Sequence, residues 1–244
     1  MQEIADMHCH ILPEVDDGAN SMDMAMGLLR REYDQGVRVV LLTPHYRKGM
    51  FEPDELTVRA QFEQLCMGAK AVMPEMKLYL GYELHAGMDM VERIRKRNQF
   101  CMAGTYYILV EFSDGDLKFY IRERLYQLLC AGYKPIIAHA ERYESVMGDL
   151  DFAEELSDMG ALIQVNADSV IGKDGRKVKK FCLKLMQNDL LDFVGSDAHN
   201  LSDRPPRLAE CAAYIEKKMG EAYCDKIMSQ NPLKIINAME KMGE

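Results

Sequence analysis

Short apolar segments alternate with longer segments of helical periodicity along the chain, and this alternation limits the fold more than any other feature. The apolar segments are rich in β-branched residues and predict strands at 3–8, 37–43, 77–83, 106–112, 134–139, 161–166 and 191–196. Near-continuous apolar strands are typical of a sheet that is covered on both faces. Seven successive strand–helix units predict an α/β fold with parallel strands. We expect one domain over residues 1–244, a single TIM-like (β/α)7 barrel.

The segments between the strands have the spacing of amphipathic helices. They predict helices at 21–35, 54–72, 88–97, 118–131, 151–159, 175–189, 206–219 and 221–230. Ser21 suits the N-cap of the first helix, and Gly36 suits the residue that follows its end. Pro232 is expected to end the last helical segment, because proline disrupts a helix interior.

Composition excludes several classes of protein. The 244 residues carry a net charge of −9, which disfavours non-specific binding to nucleic acid or to an anionic membrane. No apolar run is long enough for a membrane-spanning helix, and the first residues lack the pattern of a secretory signal. The seven cysteines form no CxxC pair, which is typical of reduced thiols in a cytoplasm. We therefore expect a cytoplasmic protein without membrane insertion.

Five of the six histidines stand at or just after the ends of predicted strands, and carboxylates share these positions. The histidines are His8, His10, His45, His139 and His199. The carboxylates are Glu83, Glu111 and Asp197, with Asp16 and Asp17 in the loop after the first strand. The carboxyl ends of barrel strands converge on one mouth, where active sites are built. These scattered residues are therefore expected to be neighbours.

Imidazole and carboxylate together form the ligand set of Zn²⁺, Mn²⁺ and Fe²⁺. The group is too large for one ion, so two or three metals are expected, an arrangement that suits hydrolysis. Taken singly, His-x-His can be accidental, Glu111 can be an ion-pair partner, and Glu83 or Asp197 can cap a helix. The joint pattern favours the metal centre. His85 is the exception, and we expect it at the surface or supporting a ligand.

Basic residues follow three of the candidate ligands and form a second layer at the same mouth. They are Arg47, Lys48, Arg142, Arg204 and Arg207. The planar guanidinium binds oxyanions with two parallel hydrogen bonds, which suits a phosphate. A solvated loop arginine is the alternative for any one of them. An anionic substrate would be concentrated at such a basic, metal-bearing mouth.

Covalent catalysis by cysteine or serine finds no support in the sequence. A cysteine-dependent phosphatase needs an arginine six residues after its cysteine, and none of the seven cysteines has one. Cys9 lies between two candidate ligands and should point away from them. GxSxG, P-loop and GxGxxG motifs are also absent, which disfavours serine hydrolases, P-loop NTPases and dinucleotide-dependent redox enzymes.

The motifs resemble those of the PHP (polymerase and histidinol phosphatase) superfamily, which are metal-dependent phosphoesterases on a distorted barrel. The resemblance rests on Asp6-Met7-His8-Cys9-His10, Thr43-Pro44-His45, Glu83, Glu111, Ala138-His139 and Ser196-Asp197-Ala198-His199. Finer features resemble the bacterial CpsB/YwqE-type protein-tyrosine phosphatases of capsule and exopolysaccharide operons. They are His10-Ile11-Leu12-Pro13 with Asp16-Asp17-Gly18, Arg47-Lys48-Gly49-Met50-Phe51, Ala140-Glu141-Arg142-Tyr143 and His199-Asn200-Leu201 with Arg204-Pro205-Pro206. The resemblance runs from about residue 3 to Pro232.

The resemblance implies a set of nine metal ligands: His8, His10, Asp17, His45, Glu83, Glu111, His139, Asp197 and His199. It implies two or three divalent ions, most typically manganese, with iron, cobalt and zinc as alternatives. It also implies that Arg142 and Arg204 bind the substrate phosphate. The implied partner is a phosphotyrosine protein, the tyrosine-rich tail of a membrane-associated tyrosine kinase.

The expected mechanism is in-line attack on phosphorus by a metal-bridging hydroxide, with Arg142 and Arg204 stabilising the equatorial oxygens. A phenolate with a pKa of about 10 leaves with little acid help. Protonated His199 and a metal-bound water are the candidate proton donors. Three alternatives stay open: a histidinol-phosphate phosphatase or other small-molecule phosphoesterase, a metal-binding regulatory module without turnover, and a metal-dependent amidohydrolase. The last would need a bridging lysine at a strand end, and no lysine is placed so.

Overall fold

The protein is described by a computed structural model that covers residues 3–242, with every side chain except those of Asn98 and residues 240–242. Its strands are β1 (Ile4–Cys9), β2 (Val37–Leu42), β3 (His45–Tyr46), β4 (Lys77–Leu80), β5 (Glu83–His85), β6 (Tyr107–Glu111), β7 (Lys134–Ile137), β8 (Leu162–Asn166) and β9 (Phe193–Gly195). All strand pairs are parallel, in a three-stranded sheet of order β1-β2-β4 and a six-stranded sheet of order β3-β5-β6-β7-β8-β9. The α/β class and parallel pairing are confirmed.

Helices connect the strands and cover the sheets. They are α1 (Met22–Asp34), α2 (Glu55–Val72), α3 (Met90–Lys96), α4 (Lys118–Cys130), α5 (Leu150–Asp158), α6 (Ala167–Ile171), α7 (Arg176–Gln187), α8 (Leu208–Met219), α9 (Glu221–Asp225) and α10 (Asn231–Met242). Ser21 caps α1 by accepting a hydrogen bond from the Met24 N–H, and Gly36 follows with a φ of 87°. Both predictions for this helix are confirmed. No helix within residues 3–242 is long and apolar enough to cross a membrane.

The expectation of one strand over 77–83 is wrong, because the chain breaks between β4 and β5. The neighbouring second strand breaks at the same level, between β2 and β3, where Pro44 has no N–H to donate to a ladder. Backbone bonds from Gly81 N to Leu42 O (2.9 Å) and from Glu83 N to Pro44 O (3.1 Å) continue across the breaks. Glu83 consequently begins β5 rather than ending a strand.

The first and last strands also lie side by side. A parallel bridge joins Cys9 to Ala198, and the backbone N–H groups of His10 and Asp197 donate across this boundary, to Ala198 O (2.9 Å) and His8 O (2.8 Å). The carboxyl end of β1 therefore stands against the segment that follows β9.

The expectation that helical structure ends before Pro232 is wrong. A π-helical turn, Lys226–Gln230, joins α9 to α10, and Pro232 is the second residue of α10. Proline is tolerated in a first helical turn, and the wider π turn directly precedes it. α10 then packs Ile235 and Ile236 into a buried cluster with strand residues such as Met7, Leu41 and Leu109.

Candidate metal centre

All nine side chains implied as ligands lie close together at one side of the fold. β1 carries His8, with His10 one residue beyond, and β6 ends at Glu111. Glu83 and His45 begin the short strands β5 and β3, which pair with each other. His139, Asp197 and Asp17 stand in loops that follow strands, as does His199. The positions inferred from strand ends thus meet at one place.

Glu83 is the centre of this arrangement and is fully buried. Its Oε1 lies 2.8 Å from His139 Nε2 and 3.4 Å from His8 Nε2. Its Oε2 lies 2.9 Å from His45 Nδ1 and 3.3 Å from His10 Nε2. Four imidazoles therefore surround one carboxylate. Burial alone would raise the pKa of Glu83, but His8, His139 and His10 hold this pKa well below its usual range.

Within the described residues, three groups bring ligand atoms to within 4.8 Å of one another. They are His10, Asp17, His45 and His199; His8, His10 and Asp197; and His45, Glu83 and Glu111. His139 belongs to none of these groups, but its Nε2 lies 4.0 Å from Glu111 Oε1 as well as close to Glu83. Nitrogen and carboxylate donors in this number suit divalent transition metals.

Buried polar atoms of the centre lack hydrogen bonds of good geometry, although they lie close together. They include both carboxylate oxygens of Glu83, Glu111 Oε2, His45 Nδ1, His139 Nδ1 and His199 Nε2. A buried polar atom left without a partner costs free energy, so such atoms are rare unless an ion or water satisfies them. The residues present therefore fit bound divalent cations.

Asp16 and Asp17 have different positions, which the sequence alone did not separate. Asp17 is half exposed, and its Oδ1 faces His45 Nε2 at 3.6 Å and His199 Nε2 at 3.7 Å. Asp16 is instead turned inward: its Oδ2 lies 2.8 Å from His10 Nδ1 and accepts the His45 N–H at 2.9 Å. A carboxylate behind a ligating imidazole orients the ring. Asp16 therefore supports His10, a role that sequence analysis did not assign.

His10 and His199, whose rings lie 4.1 Å apart between centroids, have opposite protonation tendencies. Burial would lower the pKa of His10, but the Asp16 carboxylate raises it well above its usual range. Burial, together with the nearby charge of His10, lowers the pKa of His199 to about 3. His199 Nδ1 lies 2.9 Å from the Asp197 carbonyl oxygen, so its proton sits there and Nε2 is left free. This geometry suits a metal ligand and disfavours His199 as the proton donor.

His139 and Asp197 both adopt left-handed backbone conformations, with φ of 31° and 51°. Such conformations cost a non-glycine residue on the order of 1–3 kcal/mol and are enriched at functional sites. β7 and β9 end before these residues, at Ile137 and Gly195, so the expectation that they complete the strands is wrong. The change of backbone direction turns both side chains into the centre.

Three of the five basic residues open onto the metal centre. Arg47, Arg142 and Arg204 line a cavity of about 210 Å³ together with His45, Glu111 and Asp197. Arg204 Nη2 lies 2.7 Å from Asp197 Oδ2, and Arg142 Nη1 lies 3.6 Å from the same oxygen. Both side chains remain almost half exposed, so a phosphate can reach them.

The other two basic residues have different partners. Lys48 Nζ lies 3.6 Å from Asp89 Oδ2 and is largely exposed. Arg207 Nη1 lies 2.6 Å from Asp168 Oδ2, in a neighbouring cleft of about 540 Å³ that also contains Arg142 and Arg204. The structure does not bring Lys48 or Arg207 to the metal-centre cavity.

Strand β8 carries no candidate ligand, yet it connects three of them. Gln164 Oε1 accepts the His139 N–H at 2.7 Å and lies 3.1 Å from His8 Nδ1. Gln164 Nε2 donates to Asn166 Oδ1 at 3.1 Å, and Asn166 Nδ2 donates to Asp197 Oδ2 at 2.7 Å. Neither Gln164 nor Asn166 was predicted from the sequence. The available signal was two amides at alternate positions of an otherwise apolar strand.

Two further residues singled out in the sequence lie beside the centre. Cys9 Sγ points to the Leu41 carbonyl oxygen at 3.5 Å, away from the ligands as expected. None of the seven cysteines, which all lie within the described residues, forms a disulfide bond. His85 is half-buried, with its Nε2 3.1 Å from Ser113 Oγ, and burial lowers its pKa.

The chain is similar to proteins of one known family. The family described as capsular polysaccharide synthesis, CpsB/CapC, matches residues 4–237. The tyrosine-protein phosphatase CpsB of Streptococcus pneumoniae is 35% identical over 236 residues, which cover 95% of this chain and 97% of the relative.

Solved structures give the same result. One from work on YwqE of Bacillus subtilis and CpsB of Streptococcus pneumoniae, described as unique metal-dependent tyrosine phosphatases, superposes with a TM-score of 0.88 at 30% identity. It covers 96% of this chain and 95% of that one. The histidinol phosphate phosphatase of Lactococcus lactis, at a TM-score of 0.57 and 15% identity over 90% of this chain and 95% of its own, shares the fold alone. The chain therefore belongs to the CpsB/CapC family.

Proposed function

We propose that this protein is a metal-dependent protein-tyrosine phosphatase that hydrolyses phosphotyrosine in a protein substrate. The observation that carries the proposal is the cluster of nine metal-type side chains, open to a cavity that three arginines line. The near-complete match to relatives named tyrosine-protein phosphatases supports the same activity. No cysteine is placed as a nucleophile, since Cys9 points away from the cavity.

Hydrolysis joins a water oxygen to phosphorus and breaks the bond from phosphorus to the tyrosyl oxygen. The nine side chains described above would hold divalent cations. When bound, these cations would make hydroxide available near neutral pH and neutralise the charge of the phosphate. Arg142 and Arg204 would bind the phosphate oxygens and stabilise their charge as the bond breaks. The tyrosyl oxygen leaves as a phenolate with a pKa of about 10, so it takes its proton from solvent without needing His199.

The donor set supports two or three ions, since three groups of ligand atoms lie close together. We assign manganese first, with iron, cobalt and zinc as alternatives. Manganese stands low in the general affinity order, so its binding depends on availability and on the many carboxylate donors.

The fold and cellular setting complete the proposal. The two sheets form a single distorted seven-unit barrel in one domain, with the breaks in its second and third strands bridged by backbone hydrogen bonds and its first and last strands joined at Cys9 and Ala198. The substrate is the tyrosine-rich tail of a membrane-associated tyrosine kinase of capsule or exopolysaccharide synthesis. The phosphatase acts on it from the cytoplasm.

The test measures phosphate release from a phosphotyrosine peptide and from histidinol phosphate, with added Mn²⁺ and after chelation. We expect metal-dependent release, mainly from the peptide. Release mainly from histidinol phosphate would support the proposed metal centre but contradict phosphotyrosine as the substrate. Bound metal without release from either substrate would overturn the enzymatic proposal in favour of a regulatory module.

A further inference from the structure

The segment after β3 forms a tight hairpin at the edge of the metal-centre cavity. Arg47 N donates to Phe51 O and Phe51 N donates to Arg47 O, both at 2.8 Å. Gly49, at the turn, has a φ of 78°, a conformation that glycine adopts without strain. The hairpin thus holds residues 47–51 in one defined shape.

Contacts outside the turn fix this hairpin on the protein. Glu52 accepts the Gly49 N–H at 2.8 Å through Oε1 and the Tyr46 hydroxyl at 3.4 Å through Oε2. Lys48 reaches across to Asp89 on the next loop. The apolar side chains at the tip are therefore presented by an anchored element.

Those side chains, Met50 and Phe51, line the same cavity as the three arginines. The Phe51 ring lies parallel to the His45 imidazole, with an angle of 11° and 5.2 Å between centroids. Met50 is 61% exposed, a large apolar surface beside an otherwise charged opening. Neither an aromatic ring nor a thioether suits a phosphate anion or a hard cation such as Mn²⁺, so the two side chains offer the opening an apolar contact surface of a different kind.

We infer that Met50 and Phe51 form an aryl subsite that receives the phenyl ring of the phosphate ester and selects aryl over alkyl phosphates. This inference rests on the proposed phosphatase function and specifies its substrate class. Arg142 and Arg204 line this cavity together with Met50 and Phe51, so the ester group of a phosphate bound by the two arginines would lie in the same cavity as the hairpin side chains. Methionine sulfur and phenylalanine both make favourable contacts with aromatic rings.

The experiment measures binding, which is independent of turnover. Mn²⁺-loaded protein is titrated calorimetrically with phenylphosphonate and with methylphosphonate, which share the anion and differ in the ring. We expect phenylphosphonate to bind roughly tenfold more tightly, the size of a modest hydrophobic discrimination. Met50→Ala should remove most of this preference, while Met50→Leu should keep most of it.

Met67→Ala provides the matched control, because Met67 is an exposed methionine of α2 away from the cavity. Phe51→Leu is tested with metal content measured in parallel, because its ring contacts His45. Equal affinities of the unaltered protein for both phosphonates, or an unchanged preference in Met50→Ala, would overturn the subsite. Failure of the proposed function has a different signature: the phenyl preference persists while phosphotyrosine is not hydrolysed.

Discussion

Gln164 presents its Oε1 to His8 Nδ1 at 3.1 Å while the same oxygen accepts the backbone N–H of His139. The amide cannot be turned round, because its Nε2 donates to Asn166 Oδ1. An accepting oxygen at His8 Nδ1 favours a ring proton there, so Nε2, which faces Glu83 and His10, is the nitrogen of His8 that a metal would bind. One neutral glutamine thereby sets the tautomer of one candidate ligand and the position of another.

Gln164→Met should weaken metal binding while the protein stays folded. The thioether keeps the length of the side chain but loses the accepting oxygen, so the His8 tautomer is no longer fixed and the His139 N–H is left unpaired. We expect a loss of about 10- to 100-fold in Mn²⁺ affinity, the usual effect of removing a residue behind a ligand. Calorimetric titration of the metal-free protein measures it.

Gln187→Met is the matched control, since Gln187 is exposed on α7 and its replacement should leave metal affinity unchanged. Equal affinities in the two variants would show that β8 does not position the ligands.

Arg142→Ala should lower kcat/KM for a phosphotyrosine peptide by about 10²- to 10³-fold, because a charge-stabilising donor is lost. Metal content should not change, since the guanidinium of Arg142 lies no closer than 3.6 Å to Asp197 Oδ2, the candidate ligand with which it forms an ion pair. Steady-state kinetics combined with elemental analysis separates the two effects. Arg95→Ala, on the exposed side of α3, serves as control. Simultaneous loss of metal would assign Arg142 a structural role instead.

Gly195→Ala should displace His8 and so disturb the candidate metal centre. A Cβ there would stand 2.6 Å from His8 Cβ and 3.0 Å from Gln164 Nε2, so His8 has to move. We expect a loss of about 1–3 kcal/mol in the free energy of unfolding, as is usual for overpacking, together with weaker Mn²⁺ binding.

Gly115→Ala tests the same change where a Cβ meets nothing within 4 Å, and it should be close to neutral. Urea denaturation and metal titration are compared for both variants. Normal metal binding in Gly195→Ala would show that the packing behind His8 is adaptable.

Glu32→Gln should make stability less dependent on pH. Glu32 is fully buried on α1, and neither of its oxygens receives a hydrogen bond. Burial, reinforced by the charge of Asp6, raises the pKa of Glu32 well above its usual range. The folded protein therefore keeps a proton that the unfolded chain releases near pH 4.5, and stability falls as pH rises from there towards the folded pKa.

The amide of the variant mimics the protonated acid at every pH. The free energy of unfolding of Glu32→Gln should therefore rise relative to the parent between pH 5 and pH 8, with a slope of at most about 1.4 kcal/mol per pH unit. Urea denaturation of metal-free proteins across this range provides the measurement, with exposed Glu63→Gln as control. Parallel pH curves for Glu32→Gln and the parent would mean that Glu32 is ionised in the folded state.

The general plan of the fold followed from the sequence because β-branched runs and helical spacing are local signals. The runs at Val37–Leu42 and Tyr107–Glu111 are apolar apart from one charged residue each, and both form strands within one residue of the predicted ends. The break at Pro44 was readable in hindsight from its missing N–H. The π turn before Pro232 was not, because it depends on how α10 packs Ile235 and Ile236 against the strands.

The candidate centre was predictable for a different reason. Histidines and carboxylates at strand ends are conspicuous, and a parallel fold brings those ends together. Supporting residues carry no such signal: Asp16 and Gln164 act through contacts with partners 29 and 156 residues away, respectively. Lys48 and Arg207 were predicted at the metal centre because they follow candidate ligands in the sequence. Their ion-pair partners, Asp89 and Asp168, could not be predicted from that position.

The boundary between β1 and the segment after β9 has one further consequence. His8 and His10 stand on one side of it and Asp197 on the other, and these three form one of the close groups of ligand atoms. A cation bound by these three side chains would link β1 to the segment after β9. Its removal should first be felt in hydrogen exchange at the His10 and Asp197 amides, which donate across the same boundary. Metal loading would then govern how often the fold opens as well as whether it catalyses.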